Sequence, residues 1–383
     1  MSHGIGRSGD IMAVQPKSAG SSLMYQLTNS LCLDLMLQLG VRHTKSCILL
    51  PVATGMGLVL SILTIKLSRP SSKYIIWSRI DQKSSFKSII SSGCQPVVIE
   101  LVRIGDELST NIVDINHAIN DFGAENITCI ITTTSCFAPR IPDNIPEVAK
   151  ICKEYDIPHI TNNAFGLQST KCMHLIEEAM KVGRLDAFVQ STDKNLLVPV
   201  GGCIIGSGSK AFIESIGQNY PGRASATPIL DTFITMLQLG TSGYKLMLVD
   251  RVESYIYLKK QLVKLAEKYN ERVLITPHNQ ISMAFTLSSF HKLNSSQITR
   301  LGSMLFTRFV SGTRVIPADA NPKKIGNYTF KNFGAHCNDN IYGYLTCSAS
   351  LGISKKEIDI FIKRLDSVLP RLCVAGSNDE DIQ

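Results

Sequence analysis

"AFVQSTDKNLLVPVGGCIIG", residues 187–206, sets one lysine, Lys194, between two apolar runs that read as buried strands. A long cation in that place needs water or a ligand, because an unpaired charge is costly to bury. The neighbouring segments decide what kind of sheet it belongs to. Upstream, "CILLPV", "KYIIWS", "PVVIEL", "ITCIITTT" and "PHITN" are short runs rich in Val and Ile. Between them stand helix-like stretches: "TGMGLVLSILTIKL", "QKSSFKSIISSG", "IVDINHAINDFG" with a stop at Gly123, "PEVAKICKEY" and "HLIEEAMKVG". The alternation predicts an α/β fold with a mainly parallel sheet, helices on both faces and right-handed crossovers.

Beyond residue 208 the pattern changes. Long helical stretches are expected over 226–239 and 244–270, then a strand in "QISMAFTL", a helix in "TRLGSMLFTRFV" and a closing amphipathic helix in "EIDIFIKRLDSVL". These read as a smaller C-terminal α+β lobe. The expected division is 1–245 for a catalytic domain, 246–375 for the lobe and 376–383 for a polar tail.

With 383 residues, 44% of them hydrophobic and 18% charged, the chain has ample material for a large core, and disorder is excluded for most of its length. The formal net charge of +8 favours an anionic partner, nucleic acid or a phosphorylated substrate first. Eleven cysteines are scattered without a C-x-x-C pair, and Cys172 and His174 have no second ligand pair, so no metal site is expected. The apolar stretch Gly57–Ile65 is too short to span a bilayer. Free thiols and the lack of a charged-then-apolar leader pattern lead to the expectation of a reducing cytoplasm. The opening "MSHGIGRSGD" has no helix or strand before it and reads as the middle of a longer chain.

In a parallel α/β sheet, ligands collect at the carboxyl ends of the strands. Lys194 follows the "DAFVQS" strand at such an end. It is either a solvated loop lysine or a Schiff-base lysine holding an aldehyde cofactor. "VATGMGL" (Val52–Leu58) places Thr54 and Gly55 at a helix start, where backbone N–H groups hold phosphate. "HITNNAFG" ends another strand with Asn162, a partner for a ring nitrogen, and Ala164, whose methyl suits the face of a flat ring. Ser191 stands three residues before the lysine. Phosphate cup, ring-nitrogen partner and lysine follow the order of fold-type I pyridoxal-phosphate enzymes.

"GRSGDIMAVQPKSAGSS", "PVATGMGL", "YIIWSRIDQKS", "TTSCFAPR", "STDKNLLVPVGG" and "YPGRASATP" together resemble the O-phosphoseryl-tRNA(Sec) selenium transferases, the selenocysteine synthases of archaea and eukaryotes. The likeness is collinear from residue 3 to about residue 370. It implies a fold-type I transferase that turns tRNA(Sec)-bound phosphoserine into selenocysteine with selenophosphate. It implies pyridoxal 5'-phosphate on Lys194, whose freed amine serves as base for the Cα proton and later returns it. Asn162 takes the position where most fold-type I enzymes carry aspartate, which implies a shallow electron sink sufficient for a good leaving group. By the same resemblance Arg7, Ser8 and Gln15, with Lys17 in register, match a substrate-phosphate loop, and Arg223 matches a second arginine on that phosphate. Lys83 is placed near the same anions, and Arg140 faces either the site or the surface. Lys181 and Arg308 match tRNA-contacting positions, or are ordinary solvated charges.

Family members carry a substantial segment before the phosphate loop that helps assemble a tetramer with sites between subunits. Its absence from this sequence leads to the expectation of an incomplete gene product, with the chemistry encoded and the homo-oligomer in doubt. Two rivals remain. One is a pyridoxal-phosphate β-eliminase or desulfurase on a free amino acid, for which Cys136 stands near the site in sequence. The other is an inactive, truncated tRNA-binding paralogue.

Overall fold

Short Val/Ile/Leu runs that are buried on both faces have only one economical arrangement, a sheet sandwiched by helices. The computed structural model, which describes residues 4–134, 137–290 and 293–377, has such a sheet. Its seven strands lie in the order Ser46–Leu50, Cys203–Ser207, Ala187–Ser191, His159–Asn162, Ile127–Thr133, Tyr74–Ser78, Gln95–Ile99. The strands from 187–191 to 95–99 are parallel neighbours. Strand 203–207 runs antiparallel to both 187–191 and 46–50. Register sets Thr133 opposite Asn162, and Asn162 opposite Val189. The ends of three consecutive parallel strands therefore lie side by side.

Two compact units divide the chain: 1–99, 110–135 and 142–245 form the first, and 100–109, 136–141 and 246–383 form the second. The second thus takes two short segments that a purely sequential division at residue 245 leaves with the first. On one flank of the first unit's sheet, Ile76, Ile115, Ile119, Ile130, Val148 and Ile151 form one buried cluster. Helix Ile112–Phe122 is started by the Asn111 side chain, which accepts the Asp114 N–H at 3.1 Å, and it stops at Gly123 with φ 77°. Helix Ala19–Gln38 was not expected from the sequence. It buries Tyr25, Thr28, Cys32, Leu35 and Met36 at helical spacing, but Leu23 and Leu27 are exposed, which blurs the apolar face.

Helix Thr227–Lys268 is interrupted by Gly240, whose φ of 60° and ψ of 174° are not helical. This matches the break expected between the two long helical stretches. In the second unit, strands Ser282–Thr286, Tyr344–Ser348 and Arg314–Ile316 form an antiparallel sheet. Phe285, Leu301, Leu305, Leu345, Leu365 and Leu369 belong to its buried core. The helix expected through Val310 ends instead at Phe306, because Phe309 turns the chain with φ 58°. The polar tail passes outside the described residues at 378, and Cys136 also lies outside them. Among the described residues no helix is long and apolar enough to cross a membrane.

Helix Thr54–Ser68 packs on the sheet through Gly57. A Cβ there would stand 2.6 Å from Cys203 Sγ and 3.1 Å from the Val189 Cγ1 methyl. Gly57→Ala should therefore cost roughly 1–3 kcal/mol in urea denaturation. Combined with Cys203→Ala, it should cost less than the two single losses summed, and strict additivity would refute the contact.

Candidate active site

Lys194 sits on a single helical turn, Thr192–Asn195, directly after strand 187–191. Its backbone is fixed from several sides. The Thr192 N–H and hydroxyl both donate to the Gly202 carbonyl, at 3.1 and 2.9 Å. The Ala164 carbonyl accepts the Ser191 N–H at 3.3 Å and the Asn195 amide at 2.9 Å. The same Asn195 amide donates to the Ser191 carbonyl at 2.7 Å, and Gln168 Nε2 donates to the Lys194 carbonyl at 3.3 Å. The side chain of Lys194 is 33% exposed. Its Nζ donates to Ser191 Oγ at 3.1 Å and to Asp193 Oδ2 at 3.2 Å, and it lies 5.4 Å from the centroid of the Phe165 ring. Ser191 in turn donates to Asp193 Oδ1.

Asn162 is buried at the end of its strand, and its Oδ1 accepts the Ala164 N–H at 3.2 Å. That bond fixes which way the amide faces: the oxygen is committed, and the NH2 group is left as the donor. A continuous set of hydrogen bonds thus runs from Asn162 through Ala164 and Ser191 to the Lys194 amine. Beside it, the first turn of helix 54–68 approaches through Gly57, which touches Cys203, the cross-strand partner of Ser191. Thr54 Oγ1 is buried there without a hydrogen-bond partner, and the first N–H groups of a helix lack partners within it. Ser84 lies 3.4 Å from the place of a Gly55 Cβ, so Lys83, the exposed first residue of helix Lys83–Ser91, stands near this cup.

A second group forms around the loop of residues 4–11. Ile5 and Ile11 are fully buried anchors. Ile5 and Ala224 exchange backbone bonds at 2.9 and 3.3 Å, and the Ile11 N–H donates to the Gly217 carbonyl at 3.1 Å. Gly6 has φ 70°, and a Cβ on it would meet Ile11 at 2.4 Å, so only glycine fits. Between the anchors, Arg7 and Asp10 exchange backbone bonds at 2.9 and 3.1 Å, which leaves the side chains of Arg7 and Ser8 exposed. Arg223 reaches the Gly4 carbonyl with Nη2 at 2.8 Å. Arg223 therefore adjoins the Ile5–Ala224 backbone bridge, and Arg7 follows it two residues after Ile5. The Gln15 N–H is held by Ser22 Oγ at 2.9 Å. Among the described residues no hydrogen bond or ion pair joins this loop to Lys194.

The remaining candidates belong to other elements. Lys181 is exposed in the last turn of helix Thr170–Val182. Arg308 is half-buried, just past the end of helix Ser295–Phe306, and donates from Nη1 to the Met304 carbonyl in that helix's last turn at 2.8 Å. Arg140 is fully buried in the second unit, which removes the surface alternative for it. The structure adds residues that the sequence reading missed: Asp193, Asn195, Phe165 and Gln168. Only the position of Asp193 next to the lysine was a signal for any of them.

A model of the O-phosphoseryl-tRNA(Sec) selenium transferases, SepSecS, matches residues 1–370. The chain belongs to the O-phosphoseryl-tRNA(Sec) selenium transferase family. Its likeness to the transferase of Dictyostelium discoideum is 48% identity over 96% of this chain and 80% of that one. To the transferase of Caenorhabditis elegans it is 41%, over 96% and 76%. Superposition on the crystal structure of an archaeal O-phosphoseryl-tRNA(Sec) selenium transferase has a TM-score of 0.86 at 31% identity, over 95% of this chain and 79% of that one. A bacterial sphingosine-1-phosphate lyase, at 12% identity and a TM-score of 0.66, shares the fold. The fold is that of the fold-type I pyridoxal-phosphate enzymes, and the selenium transferase family implies that cofactor. The residues here fit it: an orphaned Thr54 hydroxyl at a helix start for phosphate, an Asn162 donor, the Ala164 methyl and a lysine amine.

His159 opens the strand that ends in Asn162. Its Nδ1–H donates to the Arg184 carbonyl at 3.1 Å, so Nε2 accepts the Thr132 hydroxyl at 2.8 Å and the ring is neutral. Burial pushes its pKa down from 6.5 to about 4. The unfolded chain gains this proton below pH 6.5 and the folded chain resists until about pH 4, so stability falls as pH drops through that window. The loss reaches on the order of 3 kcal/mol at the acid end and is absent above the window. His159→Gln should flatten that limb of a plot of urea midpoint against pH, and an unchanged limb would refute the neutral ring.

Proposed function

We propose that this chain converts O-phosphoseryl-tRNA(Sec) to selenocysteinyl-tRNA(Sec), with selenophosphate as the selenium donor. Family membership supports the reaction, and one observation carries the site: the hydrogen-bonded run from the Asn162 amide to the Lys194 amine at adjoining strand ends. Lys194 is the catalytic residue. Thr54 and Gly55 would hold the cofactor phosphate, Ser191 and Ala164 would border the ring, and Asn162 would meet the ring nitrogen. Bound pyridoxal 5'-phosphate supplies an electron sink that makes the Cα proton of phosphoserine removable.

The Lys194 amine takes that proton. The Cβ–O bond then breaks and phosphate leaves with its electron pair. The selenium of selenophosphate adds at Cβ, water cleaves its P–Se bond and releases phosphate so that a selenol remains, and Lys194 returns a proton to Cα. Asn162 offers a donor, which suits a ring nitrogen that carries no proton; a weak sink is enough because phosphate departs readily. Arg7 and Arg223, with Ser8, Gln15 and Lys83, bind the substrate phosphate. A guanidinium pairs with phosphate through two hydrogen bonds, and unphosphorylated serine leaves it unpaired. Lys181 and Arg308 contact tRNA phosphates, in keeping with the net charge of +8.

The enzyme works as a homo-oligomer, in which the exposed Leu23 and Leu27 of helix 19–38 find cover. It works in the reducing cytoplasm, where the free, buried cysteines among the described residues stay reduced.

Lys194→Ala should abolish the visible absorbance band of protein reconstituted with pyridoxal phosphate, together with phosphate release from phosphoseryl-tRNA(Sec). Arg7→Gln and Arg223→Gln should keep the band and slow phosphate release on the order of 100-fold. Release from free phosphoserine at a comparable rate would select the free-amino-acid eliminase instead. Asn162→Asp should bring no faster elimination; a gain in rate at unchanged fidelity would refute the weak-sink account.

A further inference from the structure

In the reaction proposed above, the Lys194 amine takes a proton from Cα and later gives one back. Between the two events it is an ammonium on a side chain that is 33% exposed. An ammonium open to water trades its hydrogens with the solvent. Whether the hydrogen that leaves Cα is the one that returns depends on what surrounds Nζ.

Asp193 dominates those surroundings. Its side chain is 17% exposed, and both carboxylate oxygens are taken by side chains. Oδ1 accepts the Ser191 hydroxyl, and Oδ2 accepts Lys194 Nζ at 3.2 Å. Ser191 Oγ accepts a second Nζ hydrogen at 3.1 Å, which closes a triangle of three polar groups. The Phe165 ring, with its centroid 5.4 Å from Nζ, stands on a further side. An ammonium is attracted by the charge of a carboxylate and by a ring face, whereas a neutral amine is held by hydrogen bonds alone. An acid in the first turn of a helix ordinarily serves the free backbone N–H groups there. Here the turn is four residues long, its N-cap residue Ser191 makes no side-chain cap, and hydroxyl and carboxylate are both turned to the lysine.

We propose that Asp193 is a positioning residue that keeps the Cα hydrogen on the Lys194 amine while phosphate leaves and selenium arrives. The Cα–H bond breaks as an N–H bond forms on Nζ. Asp193 stays a carboxylate throughout and gains no proton. The N–H bond then breaks as the Cα–H bond re-forms. This rests on the reaction proposed above and adds to it the fate of the proton.

Two measurements test it. In the chain without cofactor, with an NMR-active label on its lysine ε-nitrogens, the Lys194 ammonium should give a signal, because paired hydrogens exchange slowly with water. Lys194→Arg assigns that signal by removing it. Asp193→Asn, which keeps the size and removes the charge, should broaden it away, and Asp193→Glu should restore it. In the chain loaded with pyridoxal 5'-phosphate and saturated with selenophosphate, phosphoseryl-tRNA(Sec) deuterated at Cα should give selenocysteine that keeps up to about a third of the label, since the ammonium carries three hydrogens. Asp193→Asn should abolish that retention and lower kcat for phosphate release on the order of ten-fold, with KM for the phosphoseryl-tRNA unmoved. Asp193→Ser should behave as Asp193→Asn does, so that a folding defect in one variant does not hide the result. A carboxylate that served the fold alone would lower the thermal midpoint and leave the label where it was. Complete loss of label in the wild-type chain, or wild-type retention in both uncharged variants, would overturn the proton-holding role while phosphate release upheld the reaction. Absence of phosphate release from the wild-type chain would overturn the reaction instead; the ammonium signal then decides the role of Asp193 separately, and its survival in Asp193→Asn would overturn that role too.

Discussion

One backbone carbonyl organises the candidate active site. Ala164 O accepts the Ser191 N–H and the Asn195 amide, and so ties the loop after one strand to the turn after the next. Through its own N–H the same residue orients Asn162. A lysine on four rotatable bonds is a poor reactive group unless its backbone is immobile. Here the backbone on either side of Lys194 is held by Thr192, Asn195 and Gln168, so what freedom remains lies in the side chain alone.

The layers beneath serve that constraint. His159 and Thr132 are linked by a buried hydrogen bond, and Thr161 joins Thr132 at 2.9 Å, which stitches the two strands below Asn162. Polar pairs inside a sheet are tolerated when every member is satisfied, and they resist register slips that an all-apolar face allows. On the other side, Gly57 lets a helix come close enough to bring Thr54 and Gly55 toward the strand ends. The loop of residues 4–11 follows a different principle. Two buried isoleucines pin it at either end, and the exposed Arg7 and Ser8 are carried between them. Rigid anchors with exposed donors are a physical recipe for catching an anion without closing over it.

Much of the fold was legible in the sequence. The Val/Ile runs and the helical stretches between them were enough for a parallel α/β sheet, because burial on both faces leaves strands without polar alternation. Lys194, Asn162 and Thr54 were legible as strand-end and helix-start residues; Arg7 and Arg223 became candidates through resemblance. Helix 19–38 was missed because its apolar residues lie on more than one face. The end of helix 295–306 was misplaced because Phe309 stands where glycine would have marked the stop.

The sequence by itself determined which segments are strands or helices and which chemical groups stand at their ends, since local periodicity and residue type are one-dimensional properties. Tertiary structure alone decided that Ala164 would receive Ser191 and Asn195, that Ile5 would pair with Ala224 across more than two hundred residues, and that Arg140 would be buried. Those facts depend on strand register and chain crossing. Hydrogen bonds between distant backbones leave no periodic trace in the residues that make them, because a peptide N–H or carbonyl is the same whatever side chain it carries.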